Sequence, residues 1–177
     1  MLEEILTFWF NEIDPDQWKI FDPAFDALLK KRYLSLLQQA SAGELYTWRS
    51  TAKGRLAEII ILDQFSRNIY RDTPLAFAQD PMALALAQEV VAANLLSELN
   101  AQECGFLLMP YMHSESRAIH IQAEALFKHY APFRYEAELK HKVIIDRFGR
   151  YPHRNQILGR NSTEQEIEFL TLPDSSF

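Results

Sequence analysis

Apolar residues in this chain recur at three- and four-residue spacing, the period of a helix face. No stretch alternates long enough to read as a strand. Leu2, Ile5, Leu6, Trp9 and Phe10 draw a first helix that ends before the turn signal Asp14-Pro15. Asp22-Pro23 opens a second, carried by Phe25, Leu28, Leu29, Leu36 and Leu37 to about Ala42-Gly43, where glycine can take the left-handed stop. A short turn holds Leu45 and Trp48, and Ser50-Thr51 then cap a long helix to about Tyr70, broken by Asp72-Thr73-Pro74. Asp80-Pro81 repeats the cap-plus-proline signature, with Leu84, Ala87, Val91, Leu95 and Leu99 as its stripe.

A shorter apolar helix around Phe106 to Met109 is stopped or kinked at Pro110. Ser114 or Ser116 opens the next, with Ile119, Ala123, Leu126 and Tyr130 on its inner face. Pro132 separates it from a helix over Glu136 to Phe148, and a last helix starts after Asn161-Ser162-Thr163. There, Ser162 with Gln165 or Thr163 with Glu166 reads as a capping box. The pattern predicts an all-α fold of about eight mostly short helices in one domain, residues 1–177. Short connections make neighbours antiparallel, as helical hairpins in a compact bundle or a short superhelix. No repeat recurs at a fixed period of about 34 residues, and no linker or low-complexity tract divides the chain.

Composition narrows the partners. At 177 residues, 48% hydrophobic and 24% charged, the chain is long enough for a real core and ordinary for a globular protein. With 18 Lys+Arg against 24 Asp+Glu the net charge is -6, which argues against general nucleic-acid or anionic-membrane binding. A local basic pocket is still allowed. Cys104 is the one cysteine, set among Phe106, Leu107 and Leu108, and reads as a buried packing thiol. A lone cysteine, an acidic N-terminus without a secretory pattern and no apolar run near 18 residues predict a soluble, cytoplasmic protein.

Two polar stretches interrupt the apolar pattern. On a wheel of Leu56 to Arg71, Leu62, Phe65 and Ile69 keep one face apolar, while Asp63, Gln64, Arg67, Asn68 and Arg71 occupy the other. Asp63 and Arg67 continue the line of Leu56 and Ile60, so they must be paired if buried. At i, i+4 spacing they form either a structural ion pair or the floor of a polar cleft. The second stretch, Arg147-Phe148-Gly149-Arg150-Tyr151-Pro152-His153-Arg154-Asn155, puts three arginines, a histidine and an asparagine into nine residues. Gly149 stops the helix and Pro152 stiffens the loop beyond it, so Arg150, His153, Arg154 and Asn155 project from a fixed backbone. Their guanidinium forks suit a carboxylate or phosphate. Asp63, Glu115 and Asp146 could equally neutralise them.

His113 and Glu115, two apart after the Pro110 kink, could do acid–base work or cap the next helix through Ser114. His141 falls between Ile145 and Phe148 on an apolar face and reads as a core histidine. His113, Glu115, His141 and His153 lack the i, i+4 spacing of a helical zinc motif, so neither a metal nor a cofactor is expected.

Leu62 to Arg71, Met112-His113-Ser114-Glu115, Arg147 to Asn155 and Leu158-Gly159-Arg160-Asn161-Ser162-Thr163, in that order, resemble the bacterial family called domain of unknown function 924. Phe8-Trp9-Phe10 and Phe77-Ala78-Gln79-Asp80-Pro81 join them, so the likeness spans nearly the whole chain. The resemblance implies an all-helical, tetratricopeptide-repeat-like (TPR-like) right-handed superhelix, and no established activity. Three positions depart from the family pattern: Lys19-Ile20-Phe21 after Trp18, His120 in place of an expected glutamine, and Gln165 inside the last cap.

The favoured reading is a binding module. Its cleft would be lined by Asp63, Arg67, Asn68, Arg71, His113, Arg150, His153, Arg154 and Asn155, and would hold a small anionic ligand or an acidic peptide end. A metal-independent hydrolase or transferase comes second, with His113 or His153 as acid–base group, Asp63 or Glu115 behind it and arginines against developing negative charge. In a third reading the motifs are purely structural.

Overall fold

A helical rod begins at Thr51, whose Oγ1 accepts from the Gly54 amide at 3.0 Å. In the computed structural model, which describes residues 1–18 and 20–177, this rod is the axis of the fold. It runs as α-helix over Ala52–Ile59, as π-helix over Ile60–Phe65 and as α-helix again over Ser66–Ile69; together these are α3. Every residue from Leu56 to Ser66 is buried. A Cβ at Gly54 would lie 1.8 Å from the Trp48 carbonyl oxygen, so only glycine lets the preceding turn close against the rod.

Around the rod pack α1 (Leu2–Thr7, continued by a π turn over Phe8–Glu12), α2 (Pro23–Ser41), α4 (Asp80–Ala92) and α5 (Ala101–Leu107). Phe8, Trp9 and Tyr33 meet Phe65 at ring-centroid separations of 6.3, 5.6 and 5.1 Å, which locks α1 and α2 to its middle. A short α6 (Met109–Met112) joins this core to a hairpin of α7 (Arg117–Tyr130) and α8 (Tyr135–Phe148), and α9 (Glu164–Phe169) closes the chain. The result is all-α, with nine helices among the described residues. None of them is long and apolar enough to cross a membrane.

Most predicted ends hold. Asp22 caps α2 by accepting from the Ala24 amide at 2.9 Å, and Gly149 ends α8 at φ +70°. Thr163 and Glu166, rather than Ser162 and Gln165, form the capping box of α9. Two expectations fail. The stripe predicted from Leu84 to Leu99 overruns α4, because Asn94 turns left-handed at φ 58° and sends Leu95–Glu98 into a separate 3-10 turn. Asp80 does not cap α4; Gln79 takes that position, and the Asp80 carboxylate is spent on arginines. Lys19, one of the departures from the family pattern, lies outside the described residues.

Candidate functional site

The π turn determines what α3 presents. An i→i+5 turn is wider than an α turn, and it leaves carbonyls without their usual partners where the α pattern resumes. Two side chains bond carbonyls of this turn. Ser66 Oγ donates to the Leu62 carbonyl, and Arg67 Nη1 donates to the Asp63 carbonyl at 2.8 Å. Asp63 sits inside this turn, fully buried. Its Oδ2 accepts from Gln64 Nε2, and its Oδ1 lies 2.7 Å from His113 Nδ1 and 3.2 Å from Arg67 Nη1. Burial alone would raise the Asp63 carboxyl, but Arg67 and His113 hold it well below the ordinary carboxylate range.

His113 moves the other way. Burial and the Arg67 charge push the imidazole down, against the pull of Asp63, which favours its neutral form. Next to an ionised carboxylate the proton belongs on Nδ1, which donates to Asp63. That leaves Nε2 as the acceptor nitrogen; it has no hydrogen-bond partner among the described residues, and His113 lines a cavity.

The carbonyls of the turn carrying His113 are held by side chains. Three successive carbonyls each accept from a different one: Met112 from Tyr151 Oη, His113 from Arg154 Nη2 at 3.1 Å, and Ser114 from His120 Nε2 at 2.8 Å. Glu115 is clamped next to them. It accepts both forks of Arg160 at 2.6 and 2.9 Å and the Tyr151 amide at 2.7 Å, and with these donors its carboxyl is lowered despite burial. His120 is itself fixed from behind by Glu138 at 2.7 Å, both fully buried. Such a shell sets the position of His113 before anything binds.

The cavity has a volume of about 370 Å³. Pro74, Phe77, Pro81, Leu84, Pro110 and Leu158 give it an apolar wall; Asp80, His113, Ser114, Glu115 and Arg154 form the polar end. Charges there come in pairs. Arg67 takes both Asp80 oxygens at 2.8 and 2.9 Å, and Arg160 takes Glu115. Arg154 is the exception. It reaches Asp80 only at 3.4 Å, its Nε is buried without a partner, and its guanidinium lies 4.6 Å from the ring centres of both Phe77 and Tyr151. Burial, with Arg67 nearby, lowers its pKa, the mark of a cation not fully compensated.

Of the residues anticipated from sequence, Asp63, Arg67, His113, Glu115 and Arg154 gather at this end of the molecule. The others do not. Asn68 and Arg71 both bond Asp26 of α2, Arg71 with both forks at 2.6 and 2.9 Å. Arg150 grips Glu166 at 2.7 and 2.8 Å, and Asn155 ties Arg160 to Ser162. His153 packs on Tyr151 with its Nδ1 buried and is not part of the cavity wall, so the two histidines do not converge there. The cleft expected to run from Arg71 to Arg150 is therefore broken up by internal ion pairs, each using a guanidinium fork expected for a ligand. His141 is a core histidine, donating to the Ala137 carbonyl at 2.7 Å, and burial pushes it down to about 3. Cys104 is buried too, which pushes the thiol up to about 11.

Five participants were missed: Asp80, Tyr151, Arg160, His120 as a positioning group, and Glu138. Glu138 had a signal, since it shares with His141 and Ile145 the three- and four-residue spacing of the buried face of α8. Asp80 had one that pointed elsewhere, because Asp-Pro reads first as a cap.

Fold and site together define an all-helical protein whose buried central rod and arginine-rich loop share a network of ion pairs around one histidine-lined cavity. The chain belongs to the bacterial proteins of unknown function grouped as DUF924, whose family model matches residues 5–174. It is similar to a protein of unknown function from Agrobacterium tumefaciens of known structure, at 32% identity over 96% of both chains and a TM-score of 0.90. No curated protein matches the chain.

Proposed function

We propose that the protein is a small-molecule-binding module whose ligand is an amphipathic monoanion, a carboxylate on a short apolar body. The carboxylate would meet Arg154 and the polar end, and the body would lie along Phe77, Pro81 and Leu158. The observation that carries this reading is the uneven pairing of charge. Arg154 is the incompletely compensated cation lining the cavity, while Arg67 and Arg160 already hold the carboxylates Asp80 and Glu115. A volume of about 370 Å³ falls in the range of small-ligand sites, roughly 300–1,000 Å³. A single cation with an unpartnered N–H suits a monoanion better than a dianionic phosphate or an acidic peptide. In this proposal the hairpins stack in a TPR-like manner and the protein acts in the cytosol.

Thermal denaturation against octanoate, phenylacetate, inorganic phosphate and a short acidic peptide tests it. A carboxylate present at 100 times its Kd should add about 2.7 kcal/mol. Arg154→Met, which fills the same slot between two rings without the charge, and Leu158→Trp, which occupies the cavity, should each abolish the gain. Arg71→Gln, on the Asp26 side, should leave it intact. A gain that survives Arg154→Met, or a melting point that no carboxylate moves, refutes the site.

A further inference from the structure

We propose that the same cavity hydrolyses carboxylic esters by general-base catalysis, with His113 Nε2 as the base and Asp63 as its positioning carboxylate. The inference rests on the small-molecule reading above, since the carboxylate proposed as ligand would be the product of this reaction.

Three features of the geometry carry it. First, Asp63 is buried and bonded at both oxygens, so its bond to Nδ1 fixes both the ring and the tautomer. Second, the opposite nitrogen has no hydrogen-bond partner among the described residues and is not among the fully buried unpartnered atoms, on a residue that lines the cavity, which leaves it open to meet a proton there. Third, the turn bearing the base is held through Met112, His113 and Ser114 by Tyr151, Arg154 and His120. An Asp–His bond serving stability alone does not require an unpartnered Nε2 at a cavity wall. Arg154 lies next to the base, its Nη2 3.1 Å from the His113 carbonyl, and has N–H groups to spare.

The step balances with water as the co-reactant. Nε2 takes a proton from water as the water oxygen bonds to the acyl carbon. The carbonyl π pair moves onto its oxygen, and the charge develops beside the Arg154 guanidinium. Collapse restores the C=O bond and breaks the bond to the alkoxy oxygen. His113 returns its proton to that oxygen, so the leaving group departs as an alcohol. The carboxylic acid ionises to solvent, and Asp63 stays a carboxylate throughout. The apolar wall opposite would receive the acyl chain.

The groups facing His113 are Asp63 and Arg67 from α3, Asp80 from α4, and Arg154 beyond α8, with His141 and His153 further off. Its lowered pKa keeps the base form populated at neutral pH.

The test uses the full chain with p-nitrophenyl butyrate and, in parallel, the melting-point gain with octanoate. We expect saturable turnover whose kcat/KM rises with pH along a single limb and levels off. His113→Gln should lower kcat/KM by at least about 100-fold, the smaller end of what an acid–base group contributes. Asp63→Asn should lower kcat, leave KM unchanged and move the pH limb, because asparagine can donate to Nδ1 and so drive the proton onto Nε2. Leu158→Trp leaves the dyad untouched and should also lower turnover, so the idea stays testable if His113→Gln folds poorly. Turnover by His113→Gln equal to wild type, or surviving in Leu158→Trp, overturns the chemistry. Octanoate binding without ester turnover overturns the chemistry and leaves the binding reading standing. Neither binding nor turnover overturns both.

Discussion

The hydroxyl of Tyr151 offers a clean test of how the His113 turn is held. The ring is fully buried, and its face supports the Arg154 guanidinium at 4.6 Å. Tyr151→Phe keeps that contact and removes only the donor to the Met112 carbonyl. His120 Nε2, 3.3 Å from the Tyr151 hydroxyl, already donates to the Ser114 carbonyl. The change therefore leaves one buried acceptor without a partner, worth about 1–3 kcal/mol. With a urea m value of about 2 kcal/mol per molar, a mid-range loss of about 2 kcal/mol moves the midpoint by about 1 M. In heat, a protein of this size loses about 2–4 °C for each kcal/mol. Hydrogen exchange should add local detail, since amides near His113 and Ser114 ought to exchange faster than those of α3. A midpoint shift below about 0.2 M would refute the reasoning, because the carbonyl would then have found another donor or water. A large shift spread evenly over all amides would refute the idea that the turn is held locally.

Other expectations rest on single groups. Gly149→Ala places a Cβ at φ +70° and should cost about 1–2 kcal/mol in urea unfolding, with α8 otherwise unchanged; a neutral result would mean that the stop relaxes freely. Burial holds His141 down at about 3 and, with Arg154, His153 down at about 4. The unfolded chain takes up these protons below about pH 6.5 and the folded one does not, so stability should fall as pH drops from 6.5 towards 4. His141→Gln should reduce that slope by about one proton, roughly 1.4 kcal/mol per pH unit, and an unchanged slope would count against a neutral His141. The Arg150 fork, with the Thr163 amide assisting, holds the Glu166 carboxyl at about 2. Its stabilising effect is present above the unfolded value of about 4.3 and lost as pH falls from there towards 2. Arg150→Gln should flatten the acid limb in that window, and an identical limb would show that the pair contributes nothing.

The sequence by itself determined the helical class, most helix starts and the identity of the two polar stretches. These depend on local physics: apolar spacing, Asp22 and Thr51 at caps, prolines at first turns and Gly149 at a left-handed stop. The shared position of Asp63, Arg67, His113, Glu115 and Arg154 was legible too, because a polar residue continuing a core stripe must face some partner.

What the wheel did not contain was the π turn. A fixed 100° per residue fails over Ile60–Phe65, and a backbone registering one residue wider depends on the neighbours packed round it, not on the local sequence. Nor did the sequence decide which carboxylate each guanidinium takes. Asp26 and Asp80 lie 45 and 13 residues from Arg71 and Arg67 and read locally as helix-start residues. An ion pair is selected by distance in the folded state, where one fork-to-carboxylate match removes both groups from solvent. Tertiary structure alone therefore decided that Arg71, Arg150 and Arg160 are spent internally, and that Arg154 and His113 are left lining the cavity.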